Sequence, residues 1–171
     1  MGALQSELKK TGADVRWEAS AKFHATIKFL GDIEESKLPT IIKKIEQKVS
    51  THPCFDVSYE GVGTFPNRNH PRVIWIGCEN LDGQLLRLKN DLDVSLVPHG
   101  FPIEERSFHA HVTLGRVKSE RGIKDLLSML ENLTFEPRSA KAQSIVVMKS
   151  TLKPQGSEYS LLTSIPLSTT S

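Results

Sequence analysis

The feature that most constrains this chain is a short phrase that occurs twice, His24-Ala25-Thr26-Ile27 and His111-Val112-Thr113-Leu114, about half the chain apart. Both read His-x-Thr-apolar, and both run into residues suited to a strand end, Lys28-Phe29-Leu30-Gly31 and Gly115-Arg116-Val117. The surroundings repeat as well. In the first half, residues 4–10 read as the last turns of a helix closed by Thr11-Gly12, and residues 15–17 as a short strand. Residues 23–30 alternate strictly, which predicts a strand with Phe23, Ala25, Ile27 and Phe29 on one face and His24, Thr26 and Lys28 on the other. A helix capped by Ser36 follows, with Leu38, Ile41, Ile42, Ile45 and Val49 as its buried stripe. Residues 55–61 and 73–78 then read as antiparallel strands around a long connection.

The second half repeats that order. Leu85, Leu88, Leu92 and Leu96 place a helix over 82–97, stopped by Pro98-His99-Gly100. The strand containing His111 comes next, then a helix over 120–130. Strands at 142–148 and 159–162 follow, joined through Lys153-Pro154-Gln155-Gly156. Helix, His-x-Thr strand, helix and hairpin thus occur twice. No low-complexity linker divides the halves, which implies one domain over 1–171 built of two similar lobes.

Imidazole titrates near neutrality, so one histidine can be neutral while its partner is protonated. Cleaving a phosphodiester needs a base for water, an acid for the departing oxygen and donors for the non-bridging oxygens. Two histidines fill the first two roles. Threonine hydroxyls two residues on lie on the same strand face and supply the donors, and no metal is required. His109 and His111 also form a His-x-His pair able to bind a transition metal, but no carboxylate or cysteine is placed to complete the set. Strict alternation sends Arg116 to the face opposite His111 and Thr113, unless Gly115 permits a bulge. The ordinary roles of His52 and His99, at helix ends, and of His70, in a loop, are solvation or capping.

The 171 residues, 38% of them hydrophobic, are enough to bury a core. A net charge of +2 from 22 basic and 20 acidic residues excludes a strongly basic nucleic-acid coat but leaves room for local phosphate-steering clusters. Cys54 and Cys78 form no metal-ligand spacing and read as reduced thiols. No run approaches the ~18 apolar residues that cross a bilayer, and no secretory leader pattern precedes the domain; the expectation is a cytoplasmic monomer.

These residues together resemble the RNA 2′,3′-cyclic phosphodiesterases of the two-histidine (2H) phosphoesterase superfamily, also called the 2′-5′ RNA ligase group. Val15-Arg16-Trp17 with residues 23–31 is similar to that family's first motif region. Gly63-Thr64-Phe65-Pro66-Asn67 and residues 71–77 resemble its central hairpin. Residues 100–108 with His111-Val112-Thr113-Leu114-Gly115-Arg116 resemble its second motif region. Lys149-Ser150-Thr151-Leu152 and residues 156–159 match its closing hairpin. The resemblance implies an α+β, bilobal fold with a pseudo-two-fold repeat, two antiparallel sheets facing a central cleft, helices outside, and one His-x-Thr strand from each lobe. It implies that His24 protonates the leaving 3′ oxygen and that His111 deprotonates the attacking water. Thr26 and Thr113 would bind the phosphate with help from Arg116, and no cofactor would be needed. The implied substrates are RNA ends carrying a 2′,3′-cyclic phosphate, tRNA fragments among them, or small cyclic nucleotides.

Two departures from the family pattern stand out. Ala110 occupies a position commonly proline, and the apolar strand that usually precedes the first helix is expected to be missing. Phe65, Arg68 and Arg72 lie in the central connection, where they could contact a nucleotide or simply pack and solvate the hairpin. The rival readings are a catalytically silent nucleotide-binding module and a weak, reversible 2′-5′ RNA ligase using the same groups.

Overall fold

The structure, a computed structural model, describes residues 1–154 and 156–169. It is an α+β protein. Helices α1 (Gly2–Lys9), α2 (Leu38–Val49), α3 (Gln84–Leu96) and α4 (Ile123–Asn132) alternate with strands β1 (Val15–Trp17), β2 (Phe55–Phe65), β3 (Val73–Glu79), β4 (His111–Val117), β5 (Arg138–Ala142), β6 (Ser144–Lys153) and β7 (Gly156–Pro166). The strands form two antiparallel sheets, one ordered β1-β4-β3-β2-β5 and the other β6-β7. The chain divides into two compact units. One comprises Met1–Thr26, Ser58–Glu79 and His109–Ser139, the other Ile27–Val57, Asn80–Phe108 and Ala140–Ser171.

The first unit is held by apolar residues that helical and strand periodicity direct inward. Leu4 and Leu8 of α1, with Ile123, Leu126 and Leu130 of α4, pack on Ile74, Ile76, Val112 and Leu114 of the central strands. In the second unit, Ile41, Ile45 and Val49 of α2 and Leu85, Leu88, Leu92 and Leu96 of α3 are buried, as are Phe55, Val147, Ile165 and Leu167. This unit also holds a buried charge cluster. Lys28 and Lys89 each reach Asp93 at 2.6 Å, and Lys28 also donates to the Pro102 carbonyl at 3.0 Å. Burial pulls the Asp93 carboxyl upward, but the hydrogen bonds and charges of Lys28 and Lys89 outweigh it and hold the group below the usual carboxylate range.

Four local expectations are corrected. Residues 23–30 form no strand; after a 3-10 turn at Ser20–Lys22, only Ala25 makes an antiparallel bridge, to Val112. A strand needs a partner along its length. The adjacent edge of β4 is already taken at Gly115, Arg116 and Val117 by β1. Phe29, assigned to the buried face, is 74% exposed. Ser36 does not cap α2, because a 3-10 turn at Glu35–Lys37 runs directly into the helix. The closing hairpin is longer than its apolar runs suggest, and of its turn residues Gln155 lies outside the described residues.

Candidate active site

The second phrase begins β4. His111 and Thr113 are half-buried on one face, while Val112 and Leu114 are buried on the other. Alternation then breaks. Against β3, Trp75 stands opposite Thr113 but Ile74 stands opposite Gly115, so Leu114 is an extra residue, a β-bulge. Leu114 and Gly115 are buried in succession, and the parity of the strand is reset. Arg116 pairs with Val73, which shares the face of Trp75 and Gly77, the partners of Thr113 and His111. Arg116 therefore joins the face of His111 and Thr113, contrary to strict alternation. Gly115 serves a different need: a Cβ there would lie 2.6 Å from Val15 and 2.9 Å from the Trp17 ring.

Gln5 holds this bulge in place. Its side-chain amide donates to the carbonyls of Leu114 at 2.9 Å and Glu18 at 2.7 Å. The Glu18 N–H donates to the same Leu114 carbonyl at 3.0 Å. Gln5 is a functional position that the His-x-Thr repeat does not point to; its signal in the sequence is a polar side chain beside Leu4 and Leu8 on the buried stripe of α1.

The first phrase meets the second through the Ala25–Val112 bridge. Both bridging residues pack in the core. Their neighbours consequently project from the opposite face, His24 beside Thr113 and Thr26 beside His111. The phrases run head to tail, each imidazole next to the other's hydroxyl, and both lie in the first unit. Each ring is anchored in the same way. The Nδ1–H of His24 donates to the Lys22 carbonyl and that of His111 to the His109 carbonyl, both at 2.7 Å. A carbonyl only accepts, so in each neutral ring Nδ1 carries the hydrogen and Nε2 the lone pair.

An aromatic shelf braces one of the two. Phe65 stacks on Trp75 with centroids 5.0 Å apart and meets His111 edge-on at 4.9 Å. The indole lies across Gly63, where a Cβ would come within 2.4 Å of a ring carbon. Arg116 Nε stands 3.9 Å from Glu18. Arg68 pairs with Glu131 at 3.2 Å. Arg72 contributes main chain, its N–H donating to the Phe65 carbonyl at 2.7 Å and its carbonyl accepting from Val117 at 3.0 Å. Among the described residues, no group of three or more His, Cys, Asp or Glu side chains is placed to hold a metal ion. One face thus gathers two imidazoles of defined tautomer, two hydroxyls and a guanidinium, a set able to bind a tetrahedral anion and to move a proton on either side of it.

A fold of this kind bearing paired His-x-Thr phrases defines a phosphoesterase of the two-histidine class. The model of the LigT-like phosphoesterase family matches residues 1–75 and 76–159, and the chain belongs to that family. It is 34% identical over 156 residues to an RNA 2′,3′-cyclic phosphodiesterase of Thermotoga maritima, covering 91% of this chain and 81% of that protein. A protein of the same name from Aeropyrum pernix is 29% identical over 165 residues, 95% of this chain and 92% of its own length. In fold, the chain is similar to Escherichia coli LigT, crystallised with 3′-AMP, at a TM-score of 0.70 and 21% identity, covering 95% of this chain and 92% of that one. No helix among the described residues is long and apolar enough to cross a membrane.

Proposed function

We propose that this protein hydrolyses the 2′,3′-cyclic phosphate at the end of an RNA, without a metal, to leave a 2′-phosphate. The observation that carries the reading is the head-to-tail register of the two phrases with both Nδ1 atoms tied to carbonyls. The names of the relatives point to the same substrate. In this mechanism His111 Nε2 takes a proton from water as the water oxygen attacks phosphorus. The bond from phosphorus to the 3′ oxygen breaks, and His24 Nε2 delivers a proton to that oxygen. Thr26 and Thr113 donate to the non-bridging oxygens, and Arg116 offsets the charge that grows on them. The shared neighbourhood of a basic and an acidic imidazole is what a mere binding module does not need.

The test is turnover of a short RNA ending in a 2′,3′-cyclic phosphate, with EDTA present and 2′- and 3′-phosphate products resolved. Clean 2′-phosphate is the expected product. His24→Ala and His111→Ala should each lose ~10²–10⁴-fold in kcat while staying folded. The pH–rate profile should be bell-shaped, its two apparent values belonging to the pair. Wild-type rates in either variant would refute the two-histidine mechanism. Tight binding without turnover would reveal a silent module, and consumption of a 5′-hydroxyl RNA end would reveal ligation.

A further inference from the structure

The bulge at Leu114 has a second consequence, on β1. Arg16 stands directly opposite Arg116 in the β1–β4 pair. Directly opposed residues of antiparallel strands point to one face, so Arg16 joins the face of His111, Thr113 and Arg116. It is exposed, whereas its neighbours Val15 and Trp17 turn inward. Like charges in such a pair repel and cost stability. Glu18 relieves only one of them, standing 3.9 Å from Arg116. Among the described residues, no carboxylate lies within ion-pair distance of Arg16 (the ion pairs of this unit join Lys10 to Glu7, Arg68 to Glu131, Arg116 to Glu18 and Arg121 to Asp14). One surplus guanidinium is therefore left on the face that carries the two phrases.

Its position restricts what it can meet. Arg16 and His24 flank the same edge of β4, Arg16 opposite Arg116 and His24 beside Thr113. Along that edge they are separated by two residue levels, because Arg116 and Thr113 pair with Val73 and Trp75 and the bulged Leu114 adds none; that is on the order of 7 Å at ~3.3 Å per residue. A phosphate held between the phrases is met by His24 and Arg116, whereas Arg16 stands on the His24 edge at the end of the face away from His111. We propose that Arg16 binds the phosphodiester preceding the terminal cyclic phosphate, which makes an RNA strand, not a cyclic mononucleotide, the preferred ligand. The planar, always-charged guanidinium suits a backbone phosphate. The proposal rests on the reading of the site given above.

The experiment is fluorescence anisotropy with a short labelled RNA ending in a 2′-phosphate, titrated between 50 and 200 mM salt (roughly the range over which phosphate contacts dominate). Wild type, Arg16→Gln and Arg16→Lys are compared, with 2′-AMP as a competing mononucleotide. Arg16→Gln should weaken RNA binding about fivefold and flatten the logarithmic salt slope by about 0.7, the loss of one single-strand phosphate contact. Arg16→Lys should keep most of the slope, and 2′-AMP should compete equally well for all three at the mononucleotide site. The thermal midpoint of Arg16→Gln should hold or rise, since a repulsion is removed. An unchanged RNA slope, an equal loss for 2′-AMP, a lowered midpoint accompanying the weaker binding, or no RNA binding by the wild type would each overturn the proposal. A flattened slope in a protein that leaves the cyclic phosphate intact would support Arg16 while refuting the proposed reaction. Hydrolysis with no slope change would do the reverse.

Discussion

Replacing Gln5 by leucine tests whether the bulge that aims Arg116 is held from α1. The side chain is buried and gives two hydrogen bonds, 2.9 Å to the Leu114 carbonyl and 2.7 Å to that of Glu18. Leucine fills similar volume but donates nothing. The Leu114 carbonyl keeps the Glu18 N–H as a partner, so the unpaired acceptor is the Glu18 carbonyl. Two lost bonds at about 1 kcal/mol each, with a partly orphaned carbonyl and a small return from the added apolar surface, predict a loss of about 2–3 kcal/mol. Urea unfolding followed by tryptophan emission is the right assay, because both tryptophans, Trp17 and Trp75, belong to the first unit. At roughly 2–4 °C per kcal/mol for a chain of this size, the midpoint should also fall by about 5–10 °C. With the bulge loosened, kcat for the cyclic phosphate should drop more than KM rises. A change under about 0.5 kcal/mol with unaltered turnover would show that β4 holds its bulge unaided and that Gln5 is only packing.

Gly63→Ala should push the Trp75 indole off β2, since the new Cβ would sit 2.4 Å from it; a cost of about 1–3 kcal/mol in urea and an altered near-ultraviolet spectrum are expected. Asp93→Asn strips Lys28 and Lys89, 7% and 5% exposed, of their shared counter-charge and should cost about 3–5 kcal/mol by chemical denaturation. Because the folded carboxyl titrates below its unfolded value, its contribution is complete above about pH 4 and is lost as pH falls through the depressed value; the wild type should lose stability there more steeply than the variant. Burial, with the charge of Glu79 adding to it, pushes the Cys78 thiol up to about 11, so a thiol reagent at pH 8 should label half-buried Cys54 alone until denaturant is added.

Where side chains repeat with a clear period, the sequence was readable. The leucines of α3 and the isoleucines of α2 announced buried helical stripes, and the alternation of His111-Val112-Thr113-Leu114 announced β4. The same rule failed at residues 23–30, where an equally good pattern has no neighbouring strand to pair with beyond Ala25. Periodicity reports what a segment can present to a partner, and the partner is a tertiary fact. β5 failed for the opposite reason: Arg138–Ala142 is largely exposed and carries no apolar alternation, so nothing local distinguishes it from a loop. Of the candidate site, the two imidazoles and two hydroxyls were legible as a repeat. Their carbonyl anchors were not, because each bond depends on the backbone course of the two residues before the histidine.

Arg116 shows why counting residues along a strand is insufficient near a site. Five residues beyond His111, it falls on the wrong face by arithmetic and on the right one by structure, and a single extra residue at Leu114 makes the difference. That residue also settles the orientation of Arg16, which never touches the bulge but inherits its parity through pairing with Arg116. The bulge is in turn held from outside the sheet by Gln5. A polar side chain on the first helix thus bears on the facing of two arginines more than a hundred and about ten residues along the chain. If stability alone had shaped this corner, a flat ladder with a leucine at position 5 would have served, and no pair of opposed arginines would stand beside it. The repulsion, the irregular strand and the buried amide are each costly in isolation, and they make sense together if the face must hold more than one phosphate.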